Sequence, residues 1–409
     1  MTPLQRSVVK NKAGYGHVDL PLLLVLIALG AFGLIMVFSA SWDFSQAVYR
    51  SPTYIFFKQV LFLAAGIAMA YGLSRLDYHV YRVLAVPIMG LTIVLLVTVL
   101  FVNEVRLGAV RTLFQGSVQP SELAKVVTIL YLAVWLYTKR ETLHDINLGL
   151  IPLAGILGII GGLIYLQPDL SATGTIFVLG GLLFFLAGGD LRQIVFLIII
   201  ALATGWIVVQ FSATGRERLA TYLSGLEDPM QSSYHVRRSL EAIVNGGWFG
   251  VGIGKAKTKL TGLPVPPTDS IFAVVAEELG LFGAIGLVTL FGLFIWRGLR
   301  IANKAPDMLG TLLGAGLTLW IGFEALMNMA VMVGLFPFAG NALPFVSAGG
   351  SNLIASLAAV GILMNIARQA NNKPQTQTNG KEEERRSFSA TVDLRRRNGR
   401  RSVSRPRRP

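Results

Sequence analysis

The feature that most constrains this chain is a succession of apolar runs, each about as long as a bilayer is thick. They fall at 20–41, 54–73, 83–102, 121–138, 149–166, 171–188, 191–212, 268–296, 309–334 and 351–367. Each is close to the roughly 20 residues that a helix needs to cross the hydrocarbon. More than half of the chain is hydrophobic (53%) and only 14% is charged, which excludes an ordinary soluble domain. The expectation is an all-α integral membrane protein of ten transmembrane helices, with both termini on one side. The first run is too long for the apolar core of a signal peptide, so it reads as an uncleaved span.

The short connections choose the side. Those at 74–82, 139–147, 190–193 and 297–308 carry Arg75, Arg82, Lys139, Arg140, Arg192, Arg297, Arg300 and Lys304. They alternate onto the same side as the basic N-terminal segment 1–19, and positive connections stay in the cytoplasm. Both termini are therefore expected to be cytoplasmic. The long connection 213–267, between helices 7 and 8, is also basic, but long loops cross largely regardless of charge, so it is expected outside. From 368 onward there are 13 Lys or Arg against 4 Asp or Glu, which carries most of the net charge of +14. The segment 368–409 reads as a disordered cytoplasmic tail. Beside a last span, its arginines suit anionic lipid headgroups better than nucleic acid. There is no cysteine, and the four histidines show no ligand spacing, which argues against disulfides, zinc and haem.

The outer loop has structure of its own. Residues 237–244 read as a short amphipathic helix, followed by Asn245-Gly-Gly-Trp-Phe-Gly-Val-Gly-Ile-Gly254, a run that permits tight turns and close backbone approach. Trp248 and Phe249 suit a membrane interface. The loop ends in Leu263-Pro-Val-Pro-Pro-Thr-Asp269, where three prolines stiffen the approach to the eighth span. Thr268 or Asp269 is a natural N-cap for that span.

With this topology, unusual polar residues converge on the outer face. Arg111 and Gln119-Pro-Ser-Glu122 with Lys125 open the fourth span, Gln167-Pro-Asp169 closes the fifth, Asp269 opens the eighth, and Pro344-Phe-Val-Ser-Ala-Gly-Gly-Ser351 joins the last two. Glu122 and Lys125 are three apart, so they share a helix face and can pair. Glu277, Glu278 and Glu324 lie deeper, where an ionisable group needs a partner, and they read as an internal polar network. Asp269 stands near the surface and suits a general base.

Taken in this order, the stretches resemble the SEDS family (shape, elongation, division and sporulation) of FtsW, RodA and SpoVE. The resemblance spans about 20–367. It rests on Gln119-Pro-Ser-Glu-Leu-Ala-Lys125, Gln167-Pro-Asp-Leu170, the Gly-Gly-Trp-Phe-Gly-Val-Gly-Ile-Gly loop, Pro267-Thr-Asp-Ser-Ile-Phe272, Glu277-Glu-Leu-Gly280 and Leu343-Pro-Phe-Val-Ser-Ala-Gly-Gly-Ser351. It implies a ten-helix fold and a peptidoglycan glycosyltransferase that polymerises lipid II at the outer face of the bacterial cytoplasmic membrane. It also implies Asp269 as catalytic base. Arg111, Glu122, Lys125, Asp169, Thr268, Ser347, Gly349, Gly350 and Ser351 become expected substrate contacts. Asp169 or Asp269 becomes a possible ligand of Mg²⁺ or Mn²⁺ at the pyrophosphate. A class B penicillin-binding protein transpeptidase and other division or elongation proteins become expected partners. The long basic tail leans to an FtsW-like role at the division septum.

The chain departs from the family pattern in places. Arg111 is flanked by Val110 and Thr112 rather than by Arg and Trp. Pro267 replaces a histidine, Val265 a glutamate, and Ser171-Ala172 a Gly-Thr pair. His235 follows Tyr234 in place of glutamine, Ala348 replaces an aromatic residue, and Asn352 stands where serine is common. Two other classes of function stay open at this stage: a lipid II flippase or transporter, and a non-catalytic scaffold of the division machinery.

Overall fold

A computed structural model describes residues 18–102 and 119–371 of this protein. Arg111, the first 17 residues and the tail from 372 lie outside the described residues, and so do the expectations placed on them. Helices make up all the regular structure among the described residues, with no strand. The first seven are α1 (Leu20–Tyr49), α2 (Tyr54–Arg75), α3 (Tyr81–Val102), α4 (Pro120–Lys139), α5 (Ile151–Tyr165), α6 (Leu170–Leu186) and α7 (Leu191–Phe211). Two shorter helices follow, α8 (Ala213–Glu227) and α9 (Tyr234–Gly246). The last three are α10 (Ile271–Asn303), α11 (Met308–Met332) and α12 (Gly350–Asn371).

Local chemistry sets many of the starts. Asp19, Asp169, Ser212, Ser233 and Asp307 each accept the N–H of the residue three positions on, which satisfies one of the orphan donors of a first turn. Proline stands in the first turn of α1, α4 and α5, where its missing N–H costs nothing. Nine helical segments among the described residues are long and apolar enough to cross a membrane. The tenth expected span, α6, has 17 residues, which only reaches the lower end of the spanning range.

Burial sorts the bundle. In their most apolar stretches α11 and α12 are 78% and 72% buried, whereas α2 and α7 are 11% and 6% buried. The first pair is the centre and the second is the lipid-facing rim, because an apolar surface so exposed has no place in water. Trp320, Phe184, Phe291 and Phe294 fill the interior completely.

The most informative element is α10, which is broken. Gly280 has φ 69° and ψ −167°, a conformation open essentially to glycine alone. A break inside a bilayer exposes backbone groups that lipid cannot satisfy. Here the glycine-rich loop supplies the partners. Val251 and Gly252 donate their N–H groups to the carbonyls of Glu277 and Glu278, and the carbonyls of Gly247 and Trp248 accept from Leu281 and Phe282, all at 2.9–3.3 Å. The two backbones touch: a Cβ on Gly280 would lie 2.4 Å from the nitrogen of Gly250. The side chains of α10 complete the joint. Glu277 accepts from the N–H groups of Lys257 and Thr258 and from the Thr258 hydroxyl, and Glu278 pairs with Lys259 at 2.9 Å and accepts from Ser39 at 2.7 Å. The expected polar network for these two glutamates is therefore present, and it ties the loop to the bundle.

At the opposite end Asp307 caps α11 and gathers three more groups: the Tyr78 hydroxyl at 2.8 Å, His79 at 3.0 Å and Arg82 at 3.2 Å. Burial pushes the Asp307 carboxyl up, but the Gly310 N–H, the Tyr78 hydroxyl and His79 outweigh it and hold the group below the usual carboxylate range. A carboxyl held low in the folded state stabilises the protein above its unfolded pKa of about 4, and that contribution is lost as pH falls through the lower folded value.

Two outcomes follow from these contacts. Gly280→Ala is expected to destabilise by about 1–3 kcal/mol or more, from backbone strain and the clash with Gly250, read as a lower Tm in detergent micelles. Asp307→Ala is expected to cost about 1–3 kcal/mol at pH 7 through the lost cap and its partners, with the gap to wild type narrowing below about pH 4.

Candidate functional site

The loop that carries Asp269 is wound tightly before α10 begins. Thr268 donates its N–H and its hydroxyl to the carbonyl of Val265 at 3.2 and 3.3 Å, and the Ser270 hydroxyl donates to the carbonyl of Pro264 at 2.7 Å. Ser270, not Thr268 or Asp269, stands at the cap position, and its side chain turns back into the loop rather than onto the helix. Val265 sits at φ 45°, a costly setting for a β-branched residue. Phe345, in the facing loop, sits at φ 65°. Strain of this kind persists only where the surroundings over-determine it, and here it marks the two loops that meet at Asp269.

Those loops are bonded together. Ala348 donates its N–H to the Pro267 carbonyl at 2.8 Å, and the Ser347 hydroxyl donates to the Thr268 carbonyl at 2.6 Å while accepting from Leu343 at 2.8 Å. From α2, Gln59 donates to the Ser347 carbonyl at 3.0 Å. From α11, the Asn328 amide donates to the carbonyls of both Asp269, at 2.9 Å, and Asn341. The segment after α11 passes close over the acid: a Cβ on Gly340 would lie 3.4 Å from Asp269 Oδ2. Asp269 as a whole is half-buried.

Beneath this lies a buried charge cluster. Lys125, with its side chain 5% exposed, pairs with Glu122 at 2.8 Å and with Glu324 of α11. The Asn352 amide donates to Glu122 at 2.9 Å and to Glu324 at 3.1 Å. The pair expected within α4 is present, and Glu324 joins it from 199 residues away. Lys125 was expected to offer its charge to a substrate. In the structure two carboxylates hold it in a buried setting.

Asp169 is likewise committed. It caps α6 through the Ala172 N–H and accepts from Ser171, Ser121 and Gln119, all at 3.1 Å. These four donors fix the start of α6 against α4. Among the described residues no group of three or more His, Cys, Asp or Glu is placed to hold a metal ion. Ser347 is buried and bonded within the loop joint, which assigns it to holding the site together. Thr268, Gly349, Gly350 and Ser351 remain half-exposed near Asp269, and Ser351 accepts the Gln119 N–H at 2.9 Å, joining the starts of α12 and α4.

Several contributors escaped the sequence reading. Asn328 lies one helical turn after Glu324, so a second polar residue on that face was the available signal. Gln59 interrupts an apolar run in α2. Asn352 and Ser171 stood out only as departures from the family pattern, and both bond into the site. The Ala348 and Pro267 positions contribute backbone groups, which survive a change of side chain.

Lys125→Met leaves Glu122 and Glu324 without their cation and is expected to cost about 3–5 kcal/mol, read from the Tm of the solubilised protein. Adding Glu122→Gln and Glu324→Gln in the same chain is expected to recover much of that loss.

The arrangement matches known proteins. The family of cell cycle proteins comprising FtsW, RodA and SpoVE matches residues 20–372. Stage V sporulation protein E of Bacillus subtilis is 37% identical over 356 residues, covering 86% of this chain and 97% of that protein. A probable peptidoglycan glycosyltransferase FtsW of Trichlorobacter lovleyi is 36% identical over 365 residues, covering 88% and 96%. Among solved structures, a chain of a peptidoglycan synthase complex studied for coordinated polymerization and crosslinking is similar with a TM-score of 0.70 at 26% identity, covering 87% of this chain and 99% of its own. The apolar helices and these relatives make this a multi-pass bacterial membrane protein. The chain belongs to the FtsW/RodA/SpoVE family of cell cycle proteins.

Proposed function

We propose that the chain is a peptidoglycan glycosyltransferase that polymerises lipid II, with Asp269 as its general base. One observation carries the reading. Asp269 is half-buried where the strained loops that carry Val265 and Phe345 meet. Such a carboxylate suits proton transfer, because its loops hold it in place and its exposure gives a substrate access.

In the proposed step a sugar hydroxyl of one lipid-linked substrate attacks the anomeric carbon of the other. Asp269 takes the hydroxyl proton as the new C–O bond forms. The bond to the pyrophosphate breaks, and its electron pair leaves with the lipid-linked pyrophosphate. The first-turn N–H groups of α12, at Gly350 and Ser351, suit the leaving anion, and Thr268 and Gly349 line the same mouth. Arg111 remains a proposed cationic contact. A divalent cation belongs to the proposal only as a companion of the substrate pyrophosphate.

The basic short connections lie at the end opposite Asp269, which supports placing the site at the outer face. A class B penicillin-binding protein is the proposed crosslinking partner, by family role, and the FtsW relatives support work at the division septum. A flippase or scaffold is less favoured, because the intramembrane acids that translocation would use are engaged in holding helices and loop together.

The test is polymerisation of labelled lipid II by the purified protein with its transpeptidase partner, with crosslinking blocked and glycan length read on a gel. Asp269→Asn is expected to lower the rate by about 10²–10⁴-fold with its Tm retained. Equal polymer from both proteins removes Asp269 from the mechanism, and no polymer from a folded, partner-bound wild type moves the assignment to flippase or scaffold.

A further inference from the structure

The segment that passes over Asp269 is held at its far end by the Asn328 amide, which donates to the Asn341 carbonyl. Between the end of α11 and Leu343 the chain is irregular, and Gly340 is the residue nearest the carboxylate. The same Gly340 Cβ position lies 3.9 Å from the Phe338 ring, so the ring packs against the residue that faces the carboxylate. The seat of Phe338 is aromatic. The imidazole of His235, on α9, stacks on Phe338 with ring centroids 4.1 Å apart and planes inclined by 24°. The Arg218 guanidinium of α8 lies 5.7 Å from the same ring, and Tyr222 of α8 donates its hydroxyl to the Leu335 carbonyl at 2.9 Å.

The platform beneath the histidine is firm. Helix α9 packs on α10 and α11, burying Val236, Ser239 and Ala242, and at Gly246 it comes so close that a Cβ would lie 2.0 Å from the Ala276 carbonyl oxygen. A rigid element therefore meets an irregular one at this ring contact, which acts alongside the Arg218 and Tyr222 contacts from α8 and the Asn328 bond to the Asn341 carbonyl. Beside that contact, a cavity of about 290 Å³ lined by Arg218, Tyr222, Phe336 and Phe338 leaves room for the strap to move once the contact is lost.

We infer that His235 is a positioning residue: by stacking on Phe338 it holds the strap 335–341 where Gly340 lies against the Asp269 carboxylate. The inference rests on the reading of Asp269 as the base. The ring acts by its face, since among the described residues its Nδ1 finds no hydrogen-bond partner. Burial, and then the charge of Arg218, holds the imidazole below its ordinary pKa, so a neutral ring rather than a second cation rests on Phe338.

The experiment uses the full chain with its partner. Hydrogen–deuterium exchange of the peptide covering 335–342 is measured in nanodiscs for wild type, His235→Ala and His235→Phe, alongside lipid II turnover. Faster exchange in His235→Ala, with turnover lowered about tenfold at unchanged KM and both restored by His235→Phe, is the expected result. Unchanged exchange in His235→Ala overturns the inference. So does faster exchange with wild-type turnover, or a His235→Phe variant as impaired as His235→Ala. If Asp269→Asn instead polymerises like wild type, the base reading fails on its own, and the exchange data still report whether His235 holds the strap.

Discussion

A helix broken within a membrane-spanning segment must find new partners for the backbone groups that the break exposes, and much of the structure around Asp269 follows from that requirement. The break at Gly280 is tolerable only because residues 247–252 bring their own backbone to it. Glycines on both sides permit the approach, and two adjacent glutamates of α10 hold the rest of the loop from within. The excursion between α7 and α10 is thereby fixed at its far end. Asp269 sits between that joint and the bundle, on a loop whose geometry is no longer free to choose.

The second constraint is the cost of charge in an apolar medium. An intramembrane acid survives by pairing, by accepting hydrogen bonds, or by reaching water. Glu122 and Glu324 share one lysine, Glu278 has another, and Glu277 and Asp169 collect neutral donors. The same physics thus makes these acids part of what holds the bundle together. The motif residues at Glu122, Lys125 and Asp169 hold the starts of α4, α6 and α12 against each other.

Much of the fold was legible because its signals are local. Apolar length marks the spans, a side-chain oxygen ahead of an apolar run marks a start, and the amphipathic stretch 237–244 lies inside α9. The Glu122–Lys125 pair followed from a three-residue spacing. The signals failed where partners are remote. Nothing near Lys125 in the chain announces Glu324, and nothing near Glu278 announces Ser39. Helix α8 was missed because its polar composition carries no spanning signal. The cap was misassigned because Ser270, one residue after the favoured pair, takes the position while its hydroxyl turns to Pro264.

The departures from the family pattern show the same division. Read in sequence, Asn352, Ser171 and Ala348 were blemishes on familiar motifs. In three dimensions Asn352 bridges two glutamates, Ser171 donates to Asp169, and Ala348 offers an N–H that any residue but proline would carry. The sequence by itself determined the class of fold, the family and the short list of chemically able residues, because hydrophobic length and local spacing are written into neighbouring positions. Only the tertiary structure decided which acid stands at the loop junction and which are consumed in holding it, because a buried charge takes its role from the partners that folding brings to it.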